Sequence, residues 1–295
     1  LTISAQTSDA AALAQAALEA RARGERVLVV CADPADVPRL AQEMPWFEPK
    51  LDVRPLPDWE TLPYDVLSPQ EELVSERLEA LYRLTAPTGG ADVLLTSAVT
   101  ASQRLSPVSY IGANTFFFHQ GEQISLTTLQ KRLAAAGYAN VKQVLAAGEF
   151  AVRGSIVDVF PMGSERPFRL DFFDDEIESI RWFDVDTQRS MESAEEIRLL
   201  PGHEFPVDPE ALLAFRQRWR REFAGDPKKS IVYCDIEKEI LPPGIEYYLP
   251  LFFDETAALT DYLPPNARVF LLGDIEVALQ AFGRDMASRY KVLAA

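Results

Sequence analysis

The chain has 295 residues, 47% apolar and 25% charged, with 45 acidic and 29 basic side chains and a net charge of −16. That apolar content builds a sizeable core and excludes wholesale disorder, and the length fits two or three domains or one large one. No third of the chain is net positive, which argues against sequence-independent DNA binding, since that needs clustered Lys and Arg to release counterions.

The first third alternates strand and helix signals. Arg26-Val-Leu-Val-Val-Cys31 is a short β-branched run and predicts a buried parallel strand. Asp33-Pro34 opens a helix through Val37, Leu40 and Met44. Pro69 to Leu84 places Leu73, Arg77, Leu78 and Leu81 at helical spacing, with Glu72 and Glu76 on the other face, and Ala91 to Ser97 is a second buried-type strand. The alternation predicts a parallel sheet covered by helices.

The character changes around Pro107 to Asn114. Ser125 is an N-cap for a helix through Leu126, Leu129 and Leu133 that Gly137 stops. Phe150 to Phe160 is a strand signal. Pro167 to Phe173, the turn Asp174-Asp175-Glu176, and Ile177 to Phe183 form a hairpin. One helix followed by an antiparallel sheet makes an α+β module large enough to be an independent domain. Beyond Pro201, Pro209 to Phe223 is helical with Leu212, Leu213, Phe215, Trp219 and Phe223 as its stripe. Ser230 to Cys234 and Arg268 to Leu272 read as buried strands in the manner of the first third, with Gly244 to Phe253 as a link. The middle module therefore interrupts one α/β domain.

Catalytic chemistry is sparse. A phosphate-binding loop needs Gly-x-x-x-x-Gly-Lys-[Ser/Thr] after the first strand, and here Cys31-Ala-Asp-Pro-Ala-Asp36 offers neither glycine nor lysine and two carboxylates instead. Dinucleotide, nucleophile-elbow and metalloprotease motifs are absent. Cys31 and Cys234, with His119 and His203, make no usual zinc set; the thiols read as buried and inert, the histidines as loop or sheet-edge residues, and Asp174-Asp175-Glu176 as a solvated turn. No metal or cofactor is expected. Cysteine usage fits a reducing cytosol, and no apolar run approaches a membrane span or opens the chain as a signal peptide. The chain starts at Leu1 rather than Met, as a piece of a longer protein would.

The hairpin carries the sharper signal. Alternate strand residues share a face, so Phe168, Leu170 and Phe172 form the core face and Arg169, Asp171 and Phe173 the other. Arginine and an aromatic ring on one sheet face are the ingredients of a protein-binding hot spot, which Arg153 on the preceding strand could join. The rival reading pairs Arg169 with Asp171 and lets Phe173 merely cover the hairpin end.

Longer motifs carry a resemblance. Asp58-Trp-Glu-Thr-Leu-Pro-Tyr-Asp65, Gly148-Glu-Phe-Ala-Val-Arg-Gly154, Asp158-Val-Phe-Pro-Met-Gly163, Phe168 to Ile177, Phe183 to Arg189, Leu200 to Pro206 and Leu241 to Tyr247 resemble the amino-terminal part of bacterial transcription-repair coupling factors (Mfd). The Arg-Gly-x-x-x-Asp-x-Phe-Pro and Phe-Phe-Asp-Asp-Glu patterns are shared with the excision-repair helicase subunit UvrB.

The resemblance implies an α/β architecture: a degenerate helicase-type parallel-sheet domain 1a (residues 1–113) without its Walker motif, an inserted α+β domain 2 (114–200), and domain 1b (201–295) returning to the first. It implies a non-catalytic, monomeric recruitment fragment in the bacterial cytoplasm, needing no cofactor. Domain 2 would dock UvrA after RNA polymerase stalls at DNA damage. RNA polymerase and DNA would be engaged only by parts of the full protein beyond Ala295, which include an ATP-dependent translocase. Three UvrA-binding residues carry over: Arg153, Arg169 and Phe173. The alternatives are a UvrB-type ATP-dependent helicase or DNA-binding fragment, and a scaffold in which the hairpin only packs; low exposure of Phe173 would favour the scaffold.

Overall fold

The computed structural model describes residues 8–85 and 90–293. In chain order these form α1 (Asp9–Arg21), β1 (Val27–Cys31), α2 (Asp36–Phe47), β2 (Val53–Pro55), α3 (Glu71–Thr85), β3 (Val93–Ser97), α4 (Ala98–Ser102), α5 (Val108–Ala113), β4 (Phe116–His119), α6 (Leu126–Ala135) and β5 (Ala139–Asn140). There follow β6 (Glu149–Arg153), β7 (Ile156–Val159), β8 (Phe168–Phe173), β9 (Glu176–Phe183), β10 (Ser190–Ala194), β11 (Glu196–Leu199), α7 (Pro209–Glu222), α8 (Ile231–Glu237), β12 (Arg268–Leu272) and α9 (Ile275–Leu293). They divide into two compact units. One holds the described residues up to Leu67, Ala80–Val108 and those from Thr256 onward; the other holds Ser68–Glu79 and Ser109–Glu255.

The first unit is built on a four-stranded sheet of order β12-β1-β3-β2, parallel throughout. All five residues of β1 and of β3 are buried, as the continuous apolar runs require of central parallel strands. Leu13, Val29, Leu40, Met44, Val93 and Leu95 belong to one core cluster. β12, from the far end of the chain, pairs in parallel beside β1, so Ser109–Glu255, which belongs to the second unit, interrupts the first. The buried reading of 268–272 does not hold. As an edge strand, β12 is covered on one face only, leaving Val269 and Leu271 exposed. After β1, the Asp33 side chain accepts from the Ala35 N–H, and Arg39 ion-pairs with Asp9, Asp36 and Glu43. Hydrogen bonding to Asp9 raises the Arg39 pKa above its ordinary value. The turn is thus occupied by its own acids and their cation.

The second unit contains a six-stranded sheet of order β10-β9-β8-β7-β6-β5, antiparallel except between β5 and β6. A separate two-stranded pair joins β11 to β4. Ser125 caps α6, accepting from the Thr128 N–H at 3.2 Å, and Gly137 ends it at φ 90°. The single strand expected over 150–160 is two, because Gly154 (φ 62°) and Ser155 turn the chain between β6 and β7.

Residues 209–251 are helical rather than α/β. Ser230 accepts from the Tyr233 N–H, so Ile-Val-Tyr-Cys opens α8 instead of a strand; a local cap outweighs β-branched propensity here. Gly244 to Phe253 contains a 3₁₀ helix, Ile245–Leu251. Phe205, Phe215, Trp219, Tyr233 and Phe252 belong to one cluster, whereas Leu213 and Phe223 of the expected stripe are exposed. Cys31 is buried, which pushes its thiol up to about 11, but Cys234 is only half-buried. Arg77, placed by spacing among apolar residues, is fully buried. Its Nε donates to Glu204 Oε1 at 2.6 Å and its Nη2 to Glu204 Oε2 at 3.2 Å.

Candidate functional site

The hairpin β8–β9 forms as predicted. Phe168, Leu170 and Phe172 are buried, and Arg169, Asp171 and Phe173 lie on the opposite face. Asp174 turns the chain at φ 52°, a conformation that Asp tolerates better than most residues. Residues 121–124 hold the tip: Gly121 and Ile124 N–H donate to the carbonyls of Ile177 and Asp175 at 2.8 and 2.7 Å, and the Ile177 N–H donates to the Glu122 carbonyl. Gln123 Nε2 also donates to Glu176 Oε2 at 2.7 Å. On this fixed support Phe173 is 68% exposed.

Strand register assembles the remaining residues. Across the outer face Ala151 stands opposite Asp158, Asp158 opposite Arg169, and Arg169 opposite Arg181. One step nearer the hairpin tip, Arg153 stands opposite Ile156 and Ile156 opposite Asp171. Since β6 and β8 run in the same direction on either side of β7, Arg153 and Phe173 come to the same end of the sheet. The structure therefore brings Arg153, Arg169 and Phe173 onto one face.

The two arginines share a buried anion. Arg169 grips Asp158 with both prongs, Nε to Oδ1 at 2.6 Å and Nη2 to Oδ2 at 2.9 Å, and Arg153 Nη2 donates to the same Oδ2 at 3.0 Å. Asp158 is 1% exposed, and only a paired carboxylate is tolerable at that depth. The expected partner Asp171 instead accepts from Ser179 Oγ at 2.9 Å. Gln188, held at φ 57°, closes the cluster: its carbonyl accepts from Arg169 Nη1 at 3.1 Å and its Oε1 from Arg153 Nη2 at 3.3 Å. Ser190 Oγ takes a further bond from Arg169 Nη1, and the guanidinium lies 4.9 Å over the Phe183 ring. The bond to Asp158 raises the Arg169 pKa, so its charge is permanent.

Asp158 and Gln188 were not singled out from sequence. Asp158 had a legible signal, a lone carboxylate in the apolar run Ile-Val-Asp-Val-Phe, which requires a cation nearby. Gln188 had none. Among the described residues, no group of three or more His, Cys, Asp or Glu could hold a metal ion, and no helix is long and apolar enough to cross a membrane.

Residues 116–205 match the family model of the UvrB interaction domain, which spans the whole cluster. The chain is 42% identical over 266 residues to the transcription-repair-coupling factor of Escherichia coli (strain K12), covering 90% of this chain and 23% of that protein. It is 45% identical over 243 residues to that of Haemophilus influenzae, covering 81% and 21%, and 32% identical over 216 residues to that of Bacillus subtilis, covering 68% and 18%. The chain thus spans less than a quarter of the length of these relatives. With a UvrB interaction domain set into a degenerate parallel-sheet domain, and with these matches running along most of its length, the chain belongs to the transcription-repair coupling factor family.

Proposed function

We propose that this chain is the amino-terminal recruitment module of a transcription-repair coupling factor and that it docks UvrA on the outer face of the β6–β9 sheet. Phe173 supplies the apolar anchor, and Arg153 and Arg169 supply charge-assisted hydrogen bonds to acidic groups or carbonyls of the partner. The observation that carries the reading is the 68% exposure of Phe173 on a hairpin tip braced by backbone hydrogen bonds. A scaffold residue would be covered, and a large exposed ring beside fixed cations is poised to bury itself against another protein.

The same proposal divides the chain into 1–113, 114–200 and 201–295, the middle segment supported by the family match at 116–205. The module is non-catalytic, cytoplasmic and monomeric. RNA polymerase and DNA are engaged by other parts of the full protein. Calorimetry with purified UvrA tests it. Arg153→Ala, Arg169→Ala and Phe173→Ala each lower affinity roughly 30- to 900-fold, corresponding to about 2–4 kcal/mol. Three folded variants that bind like the parent would overturn the docking reading.

A further inference from the structure

We infer that Arg181, on β9, is a further contact residue of this docking face, and that it receives a carboxylate from the acidic side chains of the partner. The inference rests on the docking reading above and starts from how Arg169 is used. Its Nε and Nη2 are bound to Asp158, and Nη1 donates to the Gln188 carbonyl and Ser190 Oγ. Four of the five N–H groups of a guanidinium are thereby occupied within the chain, and the side chain is 15% exposed. Arg169 keeps one Nη2 N–H for the partner and otherwise fixes the face.

Arg181 stands directly opposite Arg169 in the β8–β9 register, with Ser193 of β10 on its other side. It is exposed, and among the described residues none hydrogen-bonds or ion-pairs with its guanidinium. Like charges directly opposite one another weaken a strand pair. The sheet carries this one because Asp158 absorbs the charge of Arg169 from the other side. Asp158 is also shared with Arg153, so one buried carboxylate already serves two guanidiniums and does not reach Arg181 on the far side of Arg169. Asp171, the other acid on the row towards the tip, is engaged by Ser179. Among the described residues no carboxylate of the chain pairs with the exposed Arg181 guanidinium, which suits it to a carboxylate on an acidic partner surface. A planar fork with five free donors is the group that reads a carboxylate in bidentate fashion.

The test is UvrA binding by the 295-residue chain, measured by calorimetry and stopped-flow at two ionic strengths for Arg181→Ala, Arg181→Glu and, as reference, Phe173→Ala. Arg181→Ala lowers affinity about ten- to thirtyfold and flattens the salt dependence of the association rate; Arg181→Glu lowers it further. Thermal unfolding does not fall below the parent value, since the side chain makes no hydrogen bond or ion pair in the fold and losing its charge relieves the pairing opposite Arg169. If Arg181→Glu binds like the parent while Phe173→Ala loses affinity, the Arg181 assignment fails and the docking reading stands. If Phe173→Ala also binds like the parent, or the parent does not bind, the docking reading fails and takes this assignment with it.

Discussion

Replacing Asp158 by Asn removes one negative charge and leaves the side-chain shape intact. Three charge-assisted hydrogen bonds end on this carboxylate, at 2.6, 2.9 and 3.0 Å. Arg153, about half exposed, turns to water when released and adds close to nothing. Arg169 is 15% exposed and stays in place, its charge now unbalanced above the Phe183 ring and opposite Arg181. Breaking a fully buried pair costs about 3–5 kcal/mol, and the residual exposure here reduces that to about 2–3 kcal/mol. In a unit of this size the loss lowers Tm by about 4–12 °C. Urea unfolding, with amide exchange in β7 and β8 reporting this unit specifically, reads the change. Asp171→Asn is the control and stays within about 0.5 kcal/mol of the parent. If Asp158→Asn is as stable as the parent, or Asp171→Asn is the more damaging of the two, Asp158 is not the anchor of the arginine cluster.

Burial pushes the His203 imidazole down to about 4 from its ordinary 6.5, so the folded chain keeps it neutral. The unfolded state then binds the extra proton between those values. The contribution is full above about pH 6.5 and is lost as pH falls towards 4, about 3 kcal/mol in all. Stability measured at pH 7 and pH 4.5 should therefore differ less in His203→Gln than in the parent. Arg77→Ala or Glu204→Ala alone should cost about 3–5 kcal/mol in chemical denaturation, while Arg77→Met with Glu204→Leu recovers most of it, because the pair is 0% and 3% exposed. Gly202→Ala should destabilise by more than about 2 kcal/mol in the same assay, since its Cβ would lie 2.6 Å from the Gly137 carbonyl oxygen.

Much of the architecture is legible in local pattern. The β-branched runs at 26–31 and 91–97, the Ser125 cap and the alternation at 168–173 each state their own structure. The failures share a cause. At 230–234 a β-branched run obeys a Ser230 cap and continues into Asp235-Ile236-Glu237, so propensity yields to capping and helical spacing. At 268–272 the residues form a strand, but their burial depends on the place of β12 at the sheet edge, which composition does not encode. Site chemistry divides the same way. Face assignment follows from period two and is readable, whereas partner choice is a matter of register. Arg169 reaches Asp158 across β7–β8 because those positions are paired, and Arg77 meets Glu204 from 127 residues away.

On the docking proposal, the cluster is how an acidic chain presents arginines and an exposed ring on one sheet face without losing its fold. Binding is weakened by every side chain that must be ordered when the partner arrives. Here that ordering is completed during folding: Asp158 and Gln188 set two guanidiniums, and residues 121–124 set the tip that carries Phe173. The cost is one buried carboxylate, tolerable only while its cations stay in place. It follows that Asp158→Asn lowers UvrA affinity as well as stability, about tenfold. Arg169→Ala added to it should cost less than Arg169→Ala alone, because the two changes disable one device. Additive losses in that double-mutant cycle would mean that Arg169 meets the partner independently of Asp158.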